Sequence, residues 1–258
     1  MNHLETFNKL RNNYKLLNPH HDTWELWIKD NKSVEEFFEV AIGTILVQNT
    51  NWVNVDKAVD NLRKKNFFSF EKIYSCNDDK LKTLIRPAGF FSQKSVYLKA
   101  ISKIFLDLDY TEITRDLLLK TKGIGKETAD SLLNFCLRRP LPVIGTYTKR
   151  FFARLYGDSK YLAKKYEFIQ DEILESFDKP TAYDLGLFHA LIVSHSQNVC
   201  TKKKPTCDAC FIKNKCSYSI SRIGNTPIHS LIDEQINPVK KRDRKKNTPT
   251  KVHNNTKN

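Results

Sequence analysis

Residues 119–130 read Leu-Lys-Thr-Lys-Gly-Ile-Gly-Lys-Glu-Thr-Ala-Asp, a Gly-Ile-Gly turn at the start of an amphipathic segment. At a helix start, backbone N–H groups without intrahelical partners point outward at the positive end of the helix, which suits a backbone phosphate. The alternative is an ordinary tight turn between two helices, in which glycine supplies a positive φ. Two flanking lysines favour the phosphate site. The candidate phosphate-binding residues are Lys122, Gly123, Ile124, Gly125 and Lys126.

Helical periodicity dominates the rest of the chain. Apolar residues recur at helical spacing between Val34 and Val47, from Glu127 to Leu137, and again over Leu187–Ile192. Glycine and proline are few, at 8 and 9, and no run of alternating residues is long enough to build a sheet. The sequence therefore predicts an all-α protein.

Cysteine spacing is the second strong signal. Four of the six cysteines lie within seventeen residues, and four thiolates in one loop indicate a metal ion or a cluster. Structural zinc usually takes two short Cys-x2-Cys knuckles, whereas here one x2 pair is flanked by single cysteines at x6 and x5. That pattern favours a [4Fe–4S] cubane with one thiolate on each iron, although spacing alone leaves zinc open. Cys76 and Cys136 stand apart in apolar surroundings and are expected in the core. The candidate ligands are Cys200, Cys207, Cys210 and Cys216.

The chain is strongly basic, with a net charge of +14. The segment Val239–Asn258 holds eight Lys or Arg and one Asp, so it carries half of that charge, and we expect it to be disordered. A basic body with a basic arm fits a polyanion such as nucleic acid, although Lys- and Asn-rich usage can also reflect genome composition. No apolar run is long enough for a bilayer, and the first residues do not read as a signal peptide. We expect a soluble, intracellular protein of the cytoplasm or nucleoid, or of the nucleus in a eukaryote.

Taken together, the hairpin and the cysteine loop resemble those of the endonuclease III superfamily of DNA glycosylases, in which a helix-hairpin-helix precedes cysteines at the same x6-x2-x5 spacing. The chain is more similar to the endonuclease III-related branch that includes 3-methyladenine DNA glycosylase III. The resemblance covers Ser33 to Cys216 and implies that the cysteines hold a [4Fe–4S] cluster. The matching stretches are Phe38–Trp52, Leu84–Lys94, Gly123–Ser131 and Phe188–Ile192 leading into Cys200.

The resemblance implies a two-domain helix-hairpin-helix glycosylase fold that binds double-stranded DNA. We expect a monomer, although the sequence itself carries no information on oligomeric state. A damaged nucleotide is flipped into the cleft between the domains, because a base inside the stack cannot be reached. The predicted segments are 1–32, the N-terminal part of the cluster domain; 33–145, a six-helix barrel with the hairpin; 146–222, the cluster domain with its C-terminal loop; and 223–258, a basic, disordered tail.

Several residues lie where the family contacts DNA. Gln48 matches a residue near the gap left by the flipped base, Phe90 or Phe91 matches the wedge, and Thr146 is a further DNA-binding candidate. For each, an ordinary surface or core role is the alternative, and aromatic residues at helical spacing are more often core. The aromatic residues available to stack on a flipped base are Trp52, Tyr147, Phe37 and Phe38.

Two catalytic positions depart from the family pattern. Bifunctional members carry a lysine after the hairpin that forms a Schiff base with the sugar, and this chain has Glu127 there, so lyase activity is expected to be weak or absent. The family's essential aspartate, which stabilises charge on the sugar, corresponds to Gly145. At a helix start, this exchange costs only a few tenths of a kcal/mol of stability, but it removes the catalytic charge.

Three accounts of the missing aspartate compete. A different carboxylate, Glu127 or Asp130, could reach the sugar. The enzyme could excise only labile, cationic alkylated bases, whose leaving group is already activated. The chain could also be a non-catalytic module that binds damaged DNA. The sequence favours the second or third account, and predicts a monofunctional glycosylase for an alkylated or mismatched base, with the binding module as the alternative.

Overall fold

The computed structural model describes residues 1–13 and 22–237, which are helical and contain no strand. Three-residue to five-residue 3-10 and π-helical turns connect several of the helices. No helix in this part of the chain combines the length and the apolar character needed to cross a membrane. The helices are α1 His3–Asn12, α2 Asp22–Ile28, α3 Val34–Leu46, α4 Trp52–Lys64, α5 Phe70–Ser75, α6 Asp78–Leu84, α7 Phe91–Asp107, α8 Arg115–Lys120, α9 Lys126–Ser131, α10 Thr146–Tyr156, α11 Tyr166–Glu175, α12 Ala182–Asn198, α13 Ser217–Ile223 and α14 Ile228–Ile236.

Local sequence signals explain where the central helices begin. At the start of α3, the Ser33 hydroxyl accepts the Glu36 N–H at 3.2 Å, and the Glu36 carboxylate accepts the Ser33 N–H at 2.7 Å. This capping box pairs backbone donors that the first turn would otherwise leave free. Thr181 and Asp184 form the same motif at the start of α12. The predicted helices at 34–47 and 187–192 are thus confirmed, and their apolar faces are buried.

The helices pack in two groups around one continuous hydrophobic core. In the first group, α12 packs against α1, α2 and α10, and α13 and α14 pack against each other and against α10. In the second, α3 packs against α4, α7 and α9, while α5 and α6 cover α7. Helix α2 also contacts α3, so it bridges the groups. The domain boundaries at 33 and 145 stay a prediction.

The structure corrects the predicted start of the tail. Helix α14 lies inside the segment 223–258 that was expected to be disordered, and its Ile232 and Ile236 are buried. Its Asp233 accepts hydrogen bonds from the Tyr218 hydroxyl at 2.6 Å and from Arg154 at 3.1 Å. The folded part therefore extends through this helix, because its apolar side has a core to cover. Residues 238–258, which hold the basic run, lie outside the described residues.

Candidate functional site: an aromatic cleft beside the hairpin

A cleft of about 640 Å³ opens between the hairpin, the start of α10 and the middle of α12. Pockets of roughly 300–1,000 Å³ typically hold small ligands, so this one has room for a nucleotide base. Polar groups from the segment 48–51 and from the hairpin line one side of it. The aromatic side chains that line it are Trp24, Trp27, Trp52, Phe135, Tyr147 and His189.

The aromatic side chains hold each other in place by edge-to-face contacts. The ring centroids of Trp27 and Trp52 are 5.0 Å apart and those of Trp27 and Phe135 are 5.6 Å apart, both with nearly perpendicular planes. Such arrangements match the positive edge of one ring to the negative face of another. A Cβ on Gly43 would come within 3.0 Å of the Trp27 ring, so the glycine lets α3 approach closely. The result is a preorganised apolar wall.

The sequence predicts this wall only in part. Trp52 and Tyr147, two of the four proposed stacking residues, line the cleft. The proposal for Phe37 and Phe38 is wrong, because both pack in the core around the Phe70 ring at centroid distances of 6.2 and 5.0 Å. The sequence did not predict four further wall residues, which lie in α2, in the turn after α9 and in α12. For Trp24 and Trp27 on α2, the signal in the sequence was their spacing on one helical face. Those residues are Trp24, Trp27, Phe135 and His189.

The hairpin forms as predicted, with α8 and α9 joined by a tight turn. Gly123 has a φ of 83°, and a Cβ there would lie 2.3 Å from the Tyr97 ring, so only glycine fits. Ile124 is buried and anchors the turn in the core. Gly125 precedes α9 as its N-cap, and a Cβ there would meet nothing within 4 Å. Contacts with the core therefore fix the turn at Gly123 and Ile124, whereas the space around Gly125 is open.

The polar residues around the turn differ in how they are held. Lys122 is exposed, whereas the Lys126 ammonium is 2.7 Å from the Glu167 carboxylate. Gln48 donates to the Gly123 carbonyl at 3.3 Å and to the Thr128 hydroxyl at 3.2 Å. Gln48 thus ties the end of α3 to the hairpin at the edge of the cleft. Thr146 lines the cleft from the first position of α10.

The structure distinguishes the two candidate wedge residues. Phe90 is 60% exposed and has a left-handed backbone, with φ 46°, a conformation that costs energy for a bulky residue. Phe91 begins α7 and packs against the core. The buried Lys94 ammonium donates to the Leu46 carbonyl at 2.7 Å and to the Ala88 carbonyl at 2.8 Å. Burial lowers the pKa of Lys94 to about 8. This lysine fastens the Phe90 turn to the end of α3.

Asp130 is not available to a substrate, which corrects its place among the candidate catalytic residues. It is fully buried, and its carboxylate accepts from Arg115 Nε at 2.7 Å and Nη2 at 3.1 Å. The Gln170 side chain donates to it at 2.8 Å. A buried charge needs such partners to offset lost hydration. Asp130 therefore has a structural role in joining α8, α9 and α11.

Glu127 is the carboxylate that lines the cleft, and it lies next to Gly145. An ideal Cβ on Gly145 would be 2.4 Å from the Glu127 Oε1 atom. Glu127 is open to solvent through the cleft, yet protein surrounds it on most sides, and this desolvation raises the pKa of its carboxyl to about 7. The two positions at which the resemblance predicts a departure from the family pattern thus lie next to each other.

The four clustered cysteines surround one small, apolar cavity under α10 and α12. The buried Arg154 guanidinium lies 3.5 Å from the Cys200 sulfur and also donates to the carbonyls of Cys200, Thr201 and Lys202. Burial raises the pKa of the Cys210 thiol to about 12, so thiolates there need a cation nearby. The other isolated cysteines, Cys76 and Cys136, are buried in the core, as predicted.

Four thiols around one apolar cavity, with the Arg154 cation beside Cys200, are a donor set that a [4Fe–4S] cluster would fit. Tetrahedral zinc needs four sulfurs at about 2.3 Å from one point, whereas a cubane takes each thiolate on a different iron and needs a wider ring of ligands. The four cysteines and the Arg154 cation suit the larger, anionic group.

Known proteins match this chain in sequence. Residues 42–177 match the family described as HhH-GPD superfamily base excision DNA repair protein. A Methanocaldococcus jannaschii protein, provisionally named a DNA repair glycosylase, is 40% identical over 218 residues, covering 79% of this chain and 93% of that protein. Endonuclease III of Sulfolobus acidocaldarius is 30% identical over 197 residues, covering 73% of this chain and 85% of that enzyme.

Solved structures match it in fold. The H. pylori 3-methyladenine DNA glycosylase bound to 1,N6-ethenoadenine superposes with a TM-score of 0.64 at 26% identity, covering 76% of this chain and 98% of that chain. A trapped endonuclease III–DNA covalent intermediate superposes with a TM-score of 0.66 at 17% identity, covering 86% and 99%, which shows a shared fold. Together with the hairpin, these matches show that the chain belongs to the HhH-GPD superfamily of base excision DNA repair proteins, in the branch of endonuclease III and 3-methyladenine DNA glycosylase.

Proposed function

We propose that this protein is a monofunctional DNA glycosylase, which flips a damaged base out of duplex DNA and hydrolyses its bond to the sugar. The observation that carries the proposal is the aromatic cleft next to the hairpin, with the Glu127 carboxylate among its lining groups. Aromatic rings stack on any base face, and a flipped base needs a pocket of this size. The hairpin turn and the exposed Lys122 give a binding surface for the phosphates beside it.

Lyase chemistry lacks its nucleophile in this cleft. In the part of the chain that the structure describes, Lys126 is the one lysine lining the cleft, and its ammonium is paired with Glu167 on α11. At the neighbouring position, where the family's bifunctional members have lysine, Glu127 cannot form a Schiff base. Cleavage is therefore expected to stop at the abasic site.

The substrate class that fits is an alkylated purine with an activated leaving group. His189, the imidazole in the cleft, is held neutral because burial lowers its pKa to about 4, so it does not protonate a departing base near pH 7. A cationic base such as 3-methyladenine leaves as a neutral molecule and needs no such proton. The similar H. pylori protein is a 3-methyladenine DNA glycosylase, which supports 3-methyladenine as the first substrate to test.

We also propose that Cys200, Cys207, Cys210 and Cys216 hold a [4Fe–4S] cluster. When bound, the cluster cross-links four points of the C-terminal loop. The chain's own contribution is the Arg154 guanidinium, which organises the carbonyls of the same loop and places a buried positive charge beside the thiolates.

Single-turnover excision tests this function. Excess protein is mixed with duplexes that carry 3-methyladenine, 1,N6-ethenoadenine or a mismatch, with an undamaged duplex as the control. We expect base release from an alkylated purine, with strand breaks only after alkali and no adduct trapped by borohydride. Trapping of an adduct would contradict the monofunctional assignment. Tight binding of damaged duplex without release of any base would instead support the non-catalytic module.

The exposed Phe90 ring gives a second test. In Phe90→Ala, excision should slow by roughly 5- to 150-fold, because an aromatic contact with a base is worth about 1–3 kcal/mol. The melting temperature should not change, since the ring is 60% exposed. Ile223→Ala, which shortens an exposed apolar side chain on α13, is the control. A normal rate and a normal fluorescence change of 2-aminopurine beside the lesion in Phe90→Ala would show that Phe90 is not the wedge.

A further inference from the structure

The space that belongs to a side chain at position 145 is filled by a residue from another helix. An ideal Cβ built on Gly145 lies 2.4, 3.1 and 3.5 Å from the Oε1, Cδ and Oε2 atoms of Glu127. These distances are shorter than or equal to ordinary van der Waals contact, so the Glu127 carboxyl group and a side chain on residue 145 cannot both keep this place. Glycine at 145 is what leaves the volume free for the carboxyl group.

The Glu127 carboxyl group is free to act on a ligand. Across the described residues it has neither a hydrogen-bond partner nor an ion pair, although it reaches into a cleft. Asp130, one helical turn further on, is fully buried and saturated by Arg115 and Gln170. Of the two carboxylates near the hairpin, the unpartnered one faces the space where a flipped nucleotide would lie. Gly145 is also the N-cap of α10, so the carboxylate stands at the positive end of that helix.

We propose that Glu127 is the catalytic carboxylate of this protein, supplied from α9 into the position that a side chain at 145 would occupy. Glutamate at 127 and glycine at 145 are then two linked differences from the family pattern. Together they place the catalytic carboxyl group on α9 instead of α10, and glutamate takes the place of the lysine that lyase chemistry needs. This inference rests on the proposed glycosylase function and names the residue that performs it.

The chemistry is a hydrolysis in which charge and atoms balance. As the bond between C1′ and a cationic base breaks, its electron pair leaves with the base, which becomes neutral, and positive charge develops on C1′ and the ring oxygen. The ionised Glu127 carboxylate stabilises that charge and holds a water molecule for attack on C1′. The water oxygen bonds to C1′, and its proton passes through the carboxylate to solvent. No oxidant, reductant or second substrate is needed.

The surroundings of Glu127 predict the direction of the pH dependence. The carboxylate must be ionised to stabilise a cation, and its pKa is raised to about 7 by desolvation. The rate should therefore rise as the pH increases through neutrality, and then level. His189 is neutral in this range, and Tyr166 is too, because burial raises its pKa. The titratable groups on the elements around the carboxyl group are Lys126, Asp130, Tyr147, Tyr166 and His189.

The first experiment compares Glu127→Gln with the parent in single-turnover excision of the alkylated duplex. Removing one preorganised electrostatic stabiliser typically costs about 10²- to 10³-fold in rate, and we expect a loss of that size together with disappearance of the pH step. Affinity for the damaged duplex and the melting temperature should stay close to those of the parent. The matched control is Glu175→Gln, which neutralises an exposed carboxylate at the end of α11 and should leave rate and pH profile unchanged.

The second experiment returns the carboxylate to position 145. Glu127→Ala should be as slow as Glu127→Gln, whereas Glu127→Ala/Gly145→Asp should recover the rate to within about tenfold of the parent, because the vacated volume accepts the new side chain. If both variants fold and bind DNA, and the double variant excises no faster than Glu127→Ala, then carboxylates at 127 and 145 do not act at the same place and the inference is wrong.

The outcomes separate this inference from the proposed function. If the parent excises a base and Glu127→Gln excises it as fast, the glycosylase assignment stands and Glu127 is not its carboxylate. If the parent excises no base from any duplex, both the glycosylase assignment and the role of Glu127 are wrong. A rate that falls as the pH rises through 7 would mean that the group acts protonated, which also contradicts a charge-stabilising role.

Discussion

The Cys210→Ser protein should lose its iron and its yellow-brown colour, and it should melt at a much lower temperature than the parent. Cys210 is buried in the cavity that the four clustered cysteines share. The free energy of binding a metal centre to thiolates also stabilises the folded state, and it amounts to about 10–16 kcal/mol for small zinc domains. A cluster that keeps only three of its four protein ligands is readily lost. Without the cluster, few apolar contacts remain to hold the cysteine loop in its folded form.

A buried cysteine outside the loop provides the control for this experiment. Cys76 is 4% exposed, compared with 8% for Cys210, so Cys76→Ser makes the same chemical change at similar burial. Its iron content and visible absorbance should equal those of the parent, even if stability falls. Iron and absorbance would be measured with the melting curve on protein purified without oxygen. A colourless parent that contains zinc would contradict the cluster, and equal iron in Cys210→Ser would exclude Cys210 as a ligand.

The Asp130→Asn protein should be destabilised without losing excision. Asparagine leaves one oxygen to accept from Arg115, and its amide N–H groups then oppose those of Gln170, which lies 2.8 Å from the carboxylate. Breaking a buried pair costs about 3–5 kcal/mol, and Arg115 is 27% exposed, which favours the lower end. At roughly 2–4 °C per kcal/mol for a chain of this size, the melting temperature should fall by roughly 6–12 °C.

Asp116→Asn is the matched control, because it removes an exposed carboxylate from the neighbouring helix α8. Surface changes of this kind usually alter stability by less than about 0.5 kcal/mol. Excision by folded Asp130→Asn at 25 °C should stay within about twofold of the parent, in contrast to Glu127→Gln. A normal melting temperature combined with slow excision in Asp130→Asn would return Asp130 to the catalytic candidates.

The fold class and the hairpin could be predicted because their signals are local. The spacing of apolar residues in α3 and α12 specifies helices whatever their neighbours are. Gly123 has a φ of 83°, and because glycine adopts this conformation readily, a Gly-Ile-Gly stretch is itself a signal for such a turn. The tail boundary was wrong for a related reason. Helix α14 is short and is followed by a run of charged residues. It is stabilised by burial of Ile232 and by a hydrogen bond between its Asp233 and Arg154, which is distant in sequence.

The site was less predictable, because its members come from several helices. The aromatic side chains of α2 and of the turn after α9 lie beside Trp52 because α2 packs between the two groups of helices. Of the two candidate wedge residues, Phe90 is exposed and Phe91 packs against the core, because α7 begins between them. Sequence spacing specifies the faces of one helix, whereas the neighbours of each face depend on packing.

The sequence by itself determined that this is an all-α protein with a glycine hairpin and four clustered cysteines, and its resemblance to the family predicts that Glu127 and Gly145 stand where the family has lysine and aspartate. Only the tertiary structure showed where these two residues lie relative to each other. Asp130 and Glu127 are three residues apart on one helix, yet packing buries the first against Arg115 and turns the second into the cleft. Glu127 and Gly145 belong to different helices, and the approach of α10 to α9 brings a carboxyl group to the glycine. The physical reason is that a contact between two elements depends on how they pack, which neither element's own pattern contains.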